Sequence, residues 1–287
     1  MRRITSALLF ACALRAERFE AVEPHMGTLV RITIYSKDAS PMRAAFDRIR
    51  ELDEKLSDYK PESELNRLCR TPHQPVHVSE DLFRVLAAAQ KISALTDGAF
   101  DVTIGPVTHL WRTGKLAGPE TMARLGWRNL VVDKRHRTVT LKLTGMQLDL
   151  GAIAKGYAAD EALKILRSLG VKQALIAVSG DIVAGHAPPG TPGWRIALEP
   201  AGGEILLRNA AVSTSGDTEQ SRLIGGVRYS HIIDPKTGLG LKSSIAVTVV
   251  ARRGLEADPI ATAVSVTGEI RGRAMFGKRL KKLLVVE

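Results

Sequence analysis

The segment Leu148-Asp149-Leu150-Gly151-Ala152-Ile153-Ala154-Lys155-Gly156-Tyr157-Ala158-Ala159-Asp160 constrains the fold more than any other stretch of this chain. It is apolar, yet it sets a lysine close to two glycines, Gly151 and Gly156, which let a backbone turn tightly or approach a ligand closely. Beyond Gly156, residues Ala159, Ala162, Leu163, Leu166 and Leu169 fall near helical spacing, and Gly170 stands where a helix-ending glycine belongs. The pattern predicts a strand ending near Leu150 and a helix beginning by about Tyr157. Backbone N–H groups at a helix start, with Lys155 beside them, favour an anionic ligand. The same residues fit a buried strand–turn–helix in which Asp149 only caps the helix.

Around this segment the chain alternates helices and strands without a regular βαβ rhythm, which predicts an α+β fold with largely antiparallel sheets and flanking helices. Gly27 to Tyr35 reads as a strand. Ser40-Pro41 opens a helix whose apolar face is Met42, Ala45, Phe46, Ile49, Leu52 and Leu56. A polar loop follows from Ser57 to Glu64. Ser79 caps a second amphipathic helix that ends near Asp97-Gly98. Leu130 to Val132, Thr138 to Leu143, Ala174 to Val178, Trp194 to Leu198, Ala211 to Thr214 and Ile245 to Ala251 read as strands. Ala257 to Thr267 reads as a helix opening with Asp258-Pro259, and the tail from Arg271 to Lys282 is strongly basic. No repeat or low-complexity linker divides residues 22–287, which are read as one domain.

Residues 1–16 read as a leader: Arg2 and Arg3 precede a short apolar run, Ile4 to Leu14, and Ala16 could precede a cleavage point. Leu9-Phe10-Ala11-Cys12 loosely matches a lipobox, which would make Cys12 a lipidated N-terminus. Apart from Cys12 there is only Cys69, so neither a disulfide framework nor a zinc site is encoded. Cys69 is read as a small hydrophobe. The net charge of +11 suits anionic ligands or an acidic surface. Aromatics at 5% and the absence of any recognisable nucleic-acid motif argue against nucleic acid.

No dinucleotide fingerprint, P-loop or H-E-x-x-H is present. Ser57-Asp58-Tyr59-Lys60 and Lys236-Thr237-Gly238 imitate the motifs of penicillin-recognising enzymes. Pro61 pushes Lys60 out of the helical geometry those enzymes need, and no S-D-N element accompanies them. What remains is a set of carboxylates and hydroxyls beside glycines: Asp149, Asp181, Asp217, Asp234, Asp258, Thr214 and Thr262. Hard oxygen ligands of this kind suit Mg²⁺ together with phosphate oxygens. His231 lies between an apolar strand and a turn. It fits either a hydrogen-bonded core histidine or, beside a metal–phosphate site, a general base.

The order Met26-Gly27-Thr28, Asp149 to Asp160, Ser179-Gly180-Asp181, Thr214-Ser215-Gly216-Asp217, Ser230-His231-Ile232-Ile233-Asp234-Pro235-Lys236-Thr237-Gly238 and Ala257-Asp258 with Thr262 resembles the ApbE family, the FAD:protein FMN transferases. The resemblance runs from about Met26 to Gly268. It implies Mg²⁺-dependent transfer of FMN from FAD to a threonine or serine hydroxyl of a target protein, with AMP leaving. By position it implies FAD contacts at Met26, Tyr59, Ala99, Phe100, Asp101, Asp149, Lys155 and Ile233. It further implies a metal held by the Ala152 carbonyl, Asp258 and Thr262, and a catalytic His231. Exported relatives imply a periplasmic or inner-membrane-associated enzyme whose target is a membrane-associated redox subunit. The basic tail reads as a solvated surface, with contact to an acidic target or anionic lipid as the alternative. Two alternatives stay open: hydrolysis of FAD to FMN and AMP, and flavin carriage without turnover. The chain departs from the family at Ser179, where glycine is common, and at Ala261, where some relatives carry a further acid.

Overall fold

The computed structural model describes residues 16–199, 202–216, 221–243 and 245–286. The leader, apart from Ala16, and Asp217 of the Thr214 motif lie outside the described residues. Strands β1 (Glu17–His25) and β2 (Thr28–Ser36) form a hairpin closed by Met26 and Gly27. Both turn residues take positive φ, 52° and 72°, which matches the twist of the strands they join. Helix α1 (Pro41–Leu56) follows as expected, with Pro41 at its start and its apolar face buried. The loop expected after it is shorter than its composition suggested, because Ser63 accepts the Asn66 N–H and caps α2 (Glu64–Cys69). Then come β3 (Val76–His77) and α3 (Glu80–Leu95), the latter capped by Ser79. Helices α4 (Gly105–Arg112) and α5 (Pro119–Met122) occupy a region that carries no helical period.

Strands β4 (Leu130–Asp133) and β5 (Thr138–Leu141) make a small sheet with β3. No strand ends near Leu150. Residues 147–150 form an irregular approach, tied to the turn before α4 by the Asp149 N–H donating to the Val102 carbonyl at 2.8 Å. Helix α6 (Ala154–Ser168) therefore begins three residues earlier than the sequence pattern predicts, with Lys155 already inside it. It ends at Gly170 with φ 84°, where the Val171 N–H returns to the Leu166 carbonyl at 2.9 Å.

The second half supplies β6 (Ala174–Val178), β7 (Asp181–Ala184), β8 (Trp194–Ala197), β9 (Glu204–Leu207) and β10 (Ala210–Ser215). These are followed by β11 (Ser221–Ile224), β12 (Val227–Ser230), β13 (Ile233–Asp234), β14 (Leu239–Gly240) and β15 (Ala246–Ala251). Helices α7 (Gly254–Thr267) and α8 (Glu269–Phe276) and strand β16 (Lys282–Val286) complete the chain. The basic tail is thus a helix and an edge strand, neither of which its charge pattern announced. The central sheet runs β1-β2-β6-β7-β10-β15-β16, and each pairing among the described residues is antiparallel. The α+β class with antiparallel sheets is what the structure has.

Strand alternation sorts the residues into two layers. Ala211, Val247, Val249 and Ala251 face the main core with α6 and α7, whereas Ala210, Val212 and Val250 face a second core under the β8–β9 hairpin. Ser213 and Ser215 share the helix-facing side of β10, so this face turns polar toward the strand end that meets α7. A third, small cluster of Val107, Trp111 and Ile233 fastens α4 to β13.

The helical layer is pinned by charge as well as by apolar packing. Arg48 of α1 bonds Asp81 of α3 and, at 3.0 Å, Glu161 of α6. Lys55 and the Tyr157 hydroxyl add bonds to Asp81 at 3.0 and 2.7 Å. Burial alone would raise the Asp81 carboxyl, but Arg48, Tyr157 and Lys55 outweigh it and hold it at about 2. Removing one partner of a buried network leaves charge uncompensated. Arg48→Met is expected to lower unfolding free energy by about 3 kcal/mol in urea titration at pH 7. The loss should shrink as pH falls from about 4 toward about 2, because Asp81 carries its stabilising charge only above its folded pKa.

Candidate active site

The site is built where α6 and α7 cross without side chains between them. A Cβ on Gly156 would lie 2.3 Å from the Gly254 carbonyl oxygen, and one on Gly254 would lie 2.2 Å from that of Gly156. Only glycine allows this approach. Each helix then supplies a carboxylate to the other. Asp160 of α6 accepts the Gly254 and Leu255 N–H groups at 2.9 and 3.0 Å, capping α7. Asp258 of α7 accepts the Gly156 N–H at 3.2 Å in the first turn of α6. Helix α7 thus starts three residues before the Ala257 that its sequence suggested, and Pro259 sits inside it. The cap comes from another helix, so no local start signal marks it.

This crossing sets charge in one place. Asp258 and Asp181 are both buried, and the Ser213 hydroxyl donates to Asp181. Burial and, after it, the charge of Asp181 push Asp258 well above the usual carboxylate range, with Lys155 pulling against them. Burial likewise raises Asp181, opposed by Lys155 and Ser213. Burial works to neutralise Lys155, but Asp258, Asp181 and Asp149 outweigh it and keep its ammonium above its ordinary value. Burial thus opposes the charged forms of both acids, and Lys155 is the cationic help the chain itself supplies to them. Thr262 lies one helical turn after Asp258 and is half-buried on α7, while Ala152 sits just ahead of α6. Among the described residues no group of three His, Cys, Asp or Glu side chains gathers as a metal cage. A cation here would rely on carbonyl and hydroxyl oxygens beside Asp258, a hard donor set suited to Mg²⁺.

Of the residues expected on the flavin side, Tyr59 and Asp149 meet through Arg112, and the others lie in separate surroundings. Asp149 accepts the Gly151 N–H at 2.8 Å, so it shapes the turn ahead of α6 rather than capping the helix. Its other oxygen receives Arg112 at 2.8 Å. Tyr59 is 71% exposed, and the Arg112 guanidinium lies 4.1 Å from its ring centre. Ala99 and Phe100 are buried, Phe100 in the main core. Asp101 spends both oxygens on its own loops: it accepts the Thr103 N–H and hydroxyl at 2.8 Å and the Trp127 N–H at 2.9 Å. Beside it, an open cavity of about 270 Å³ runs between Trp127, Arg128, Pro235 and Lys236. Met26 packs at the β1–β2 turn against the main core, and Ile233 is buried with Val107 and Trp111.

His231 is exposed, which removes the core-histidine reading. It follows β12 directly. Ser230 before it is buried, and its hydroxyl accepts the Ile232 N–H at 3.0 Å while its own N–H donates to the Leu241 carbonyl at 2.7 Å. That tight turn throws the imidazole outward. Cys69 is half-buried, and burial pushes its thiol up to about 11, so it behaves as the small hydrophobe expected. Sequence reasoning missed two contributors. Asp160 stood in the quoted motif without a role, and Arg112 stood in a stretch with no helical period to mark it.

The ApbE family profile matches residues 26–286. An FAD:protein FMN transferase of Vibrio cholerae is 34% identical over 98% of this chain and 91% of its own length. One from Haemophilus influenzae is 34% identical over 77% of this chain and 70% of its own. The solved flavin transferase ApbE of Vibrio cholerae superposes with a TM-score of 0.81 at 30% identity, covering 94% of this chain and 93% of that one. The ApbE protein of Thermotoga maritima superposes with a TM-score of 0.84 at 30% identity, covering 94% of each chain.

Two substitutions probe the local backbone. Gly156→Ala is expected to cost about 2–3 kcal/mol of stability, because its methyl group overlaps the Gly254 carbonyl. Ser179 closes the β6–β7 hairpin at φ 55° and is exposed, so Ser179→Gly is expected to gain about 1 kcal/mol. Thermal and urea unfolding of both variants check the two signs.

Proposed function

The chain belongs to the ApbE family, and from that premise we propose that it is an FAD:protein FMN transferase. It takes the FMN half of FAD to a threonine or serine hydroxyl of a target protein and releases AMP. The observation that carries this reading is the Asp258–Lys155–Asp181 cluster at the α6–α7 crossing. It is a buried acid pair with one lysine, at a helix start, where a bound cation would favour the charged carboxylates.

Breaking a pyrophosphate requires that negative charge be neutralised and that the attacking hydroxyl be held in line. Lys155 and the α6 N-terminus attract the phosphates. Asp258, Thr262 and the Ala152 carbonyl would hold Mg²⁺, which supplies charge neutralisation to the phosphate oxygens when bound. His231 accepts the proton of the acceptor hydroxyl as its oxygen bonds to the FMN phosphorus. The bond from that phosphorus to the bridging oxygen breaks, and AMP departs with that oxygen. Asp149 and Tyr59 border the space for the flavin nucleotide, with Met26, Ala99, Phe100, Asp101 and Ile233 as the supporting wall. We further propose that the protein is exported, on the leader pattern of residues 1–16, and acts on a membrane-associated redox subunit.

The test is AMP release from FAD in the presence of Mg²⁺ and a threonine-containing acceptor peptide, followed by chromatography. AMP formation that depends on the peptide and stops with EDTA is expected. His231→Ala should reduce it by about 10²-fold or more while FAD still binds. Full activity in His231→Ala would remove His231 as the base. AMP release that ignores the peptide would identify a hydrolase instead.

A further inference from the structure

A second constellation lies next to the phosphate cluster: it joins Asp149 and Tyr59 to Arg112, Asp58 and His109, which have no role above. Arg112, at the end of α4, sends one guanidinium nitrogen to Asp58 and another to Asp149 at 2.8 Å. The central carbon of the same group lies over the Tyr59 ring, 4.1 Å from its centre. Its backbone carbonyl accepts Arg222 at 2.8 Å, which ties α4 to the β11–β12 hairpin that leads into His231. His109 completes the cluster, with Nε2 3.5 Å from Asp58 and Nδ1 2.8 Å from Gln147. Burial and the charge of Asp149 push Asp58 up, and Arg112 opposes them.

One side chain therefore joins Asp58 and the exposed ring of Tyr59, adjacent in the loop after α1, to Asp149 ahead of α6. A planar guanidinium can bond two carboxylates at once and stack on a ring, which an ammonium cannot do. We propose that Arg112 is the positioning residue of the flavin site: it holds Asp149 and Tyr59 in the arrangement that receives FAD. The inference rests on the flavin-transferase reading and goes beyond it. Arg112 acts on its neighbours and not on the reacting atoms, so its loss falls on FAD binding and not on the chemical step. Without it, Asp58 and Asp149 become two neighbouring acids with no shared counter-ion.

The experiment titrates each full-length protein with FAD by flavin fluorescence and measures steady-state transfer at saturating FAD. Arg112→Met keeps the aliphatic volume and is expected to raise the Kd for FAD by about tenfold or more. Its kcat at saturating FAD should stay within about threefold of the wild type. The double variant Arg112→Met with Asp58→Asn removes the repulsion between the two acids and should bind FAD more tightly than Arg112→Met alone. Arg112→Lys, which reaches one acid but not both, should weaken binding measurably and serves as the test if Arg112→Met does not fold. Wild-type or tighter binding in the folded single variants overturns the inference, as does a fall in kcat with Kd unchanged. Failure of Asp58→Asn to recover any binding also overturns it, since a direct Arg112–FAD contact would then be the better account. A wild-type protein that binds no FAD would remove the flavin-transferase reading, and this inference with it. Wild-type binding with an unaltered Arg112→Met removes this inference alone.

Discussion

The contact between the backbones of Gly156 and Gly254 is the constraint on which the rest of the site depends. Two helices approach closely enough that a methyl group would not fit, and their ends exchange caps. Asp160 satisfies the first N–H groups of α7, and Asp258 satisfies one in α6. Neither helix carries a side-chain cap from its own preceding residue. Each start is completed only when the other helix is in place, so tertiary packing and local helix formation here are one event. The sheet beneath sets the height of the crossing through Val247, Val249 and Ala211, and the Arg48 network holds α6 from the other side.

That same geometry explains why charge accumulates where it does. A cap exchanged between buried helices brings Asp258 inside, and β7 brings Asp181 to the same face because side chains on a strand alternate. Lys155 answers part of this charge. An anionic pyrophosphate alone would not settle beside two acids, and a cation alone would not need the lysine. The arrangement suits both together, which is the chemistry of splitting FAD and transferring its FMN half. The proposed flavin side is organised differently, by one arginine bridging Asp58 and Asp149 and lying over the Tyr59 ring.

Much of this was legible in the sequence, but unevenly. The amphipathic helices at Pro41–Leu56 and Glu80–Leu95 carry their own start signals and clear periods, and they formed where those signals stand. The antiparallel character followed from the lack of a βαβ rhythm. The short helix Gly105–Arg112 opens with Gly105-Pro106, a pair that reads as a turn, and so Arg112 went unnoticed. The start of Gly254–Thr267 was misjudged because its cap, Asp160, is 94 residues away in the chain. The segment Leu148–Leu150 looked like a strand for its apolar run, yet its Asp149 N–H is spent on a loop carbonyl and not on a sheet ladder. Motif order singled out the acids and His231 as candidates, whereas the geometric reason for Gly156 and Asp160 required the fold.

The most direct test of this account is the intact mass of an acceptor protein after incubation with FAD and Mg²⁺, using wild-type enzyme and Asp258→Asn. Asparagine keeps an oxygen to receive the Gly156 N–H, so the crossing should persist while the charge is lost. The account predicts that wild-type enzyme adds the mass of FMN less one water to the acceptor and that Asp258→Asn does so at a small fraction of that rate. An acceptor left unmodified by active wild-type enzyme, or modified at the wild-type rate by a folded Asp258→Asn, would contradict it.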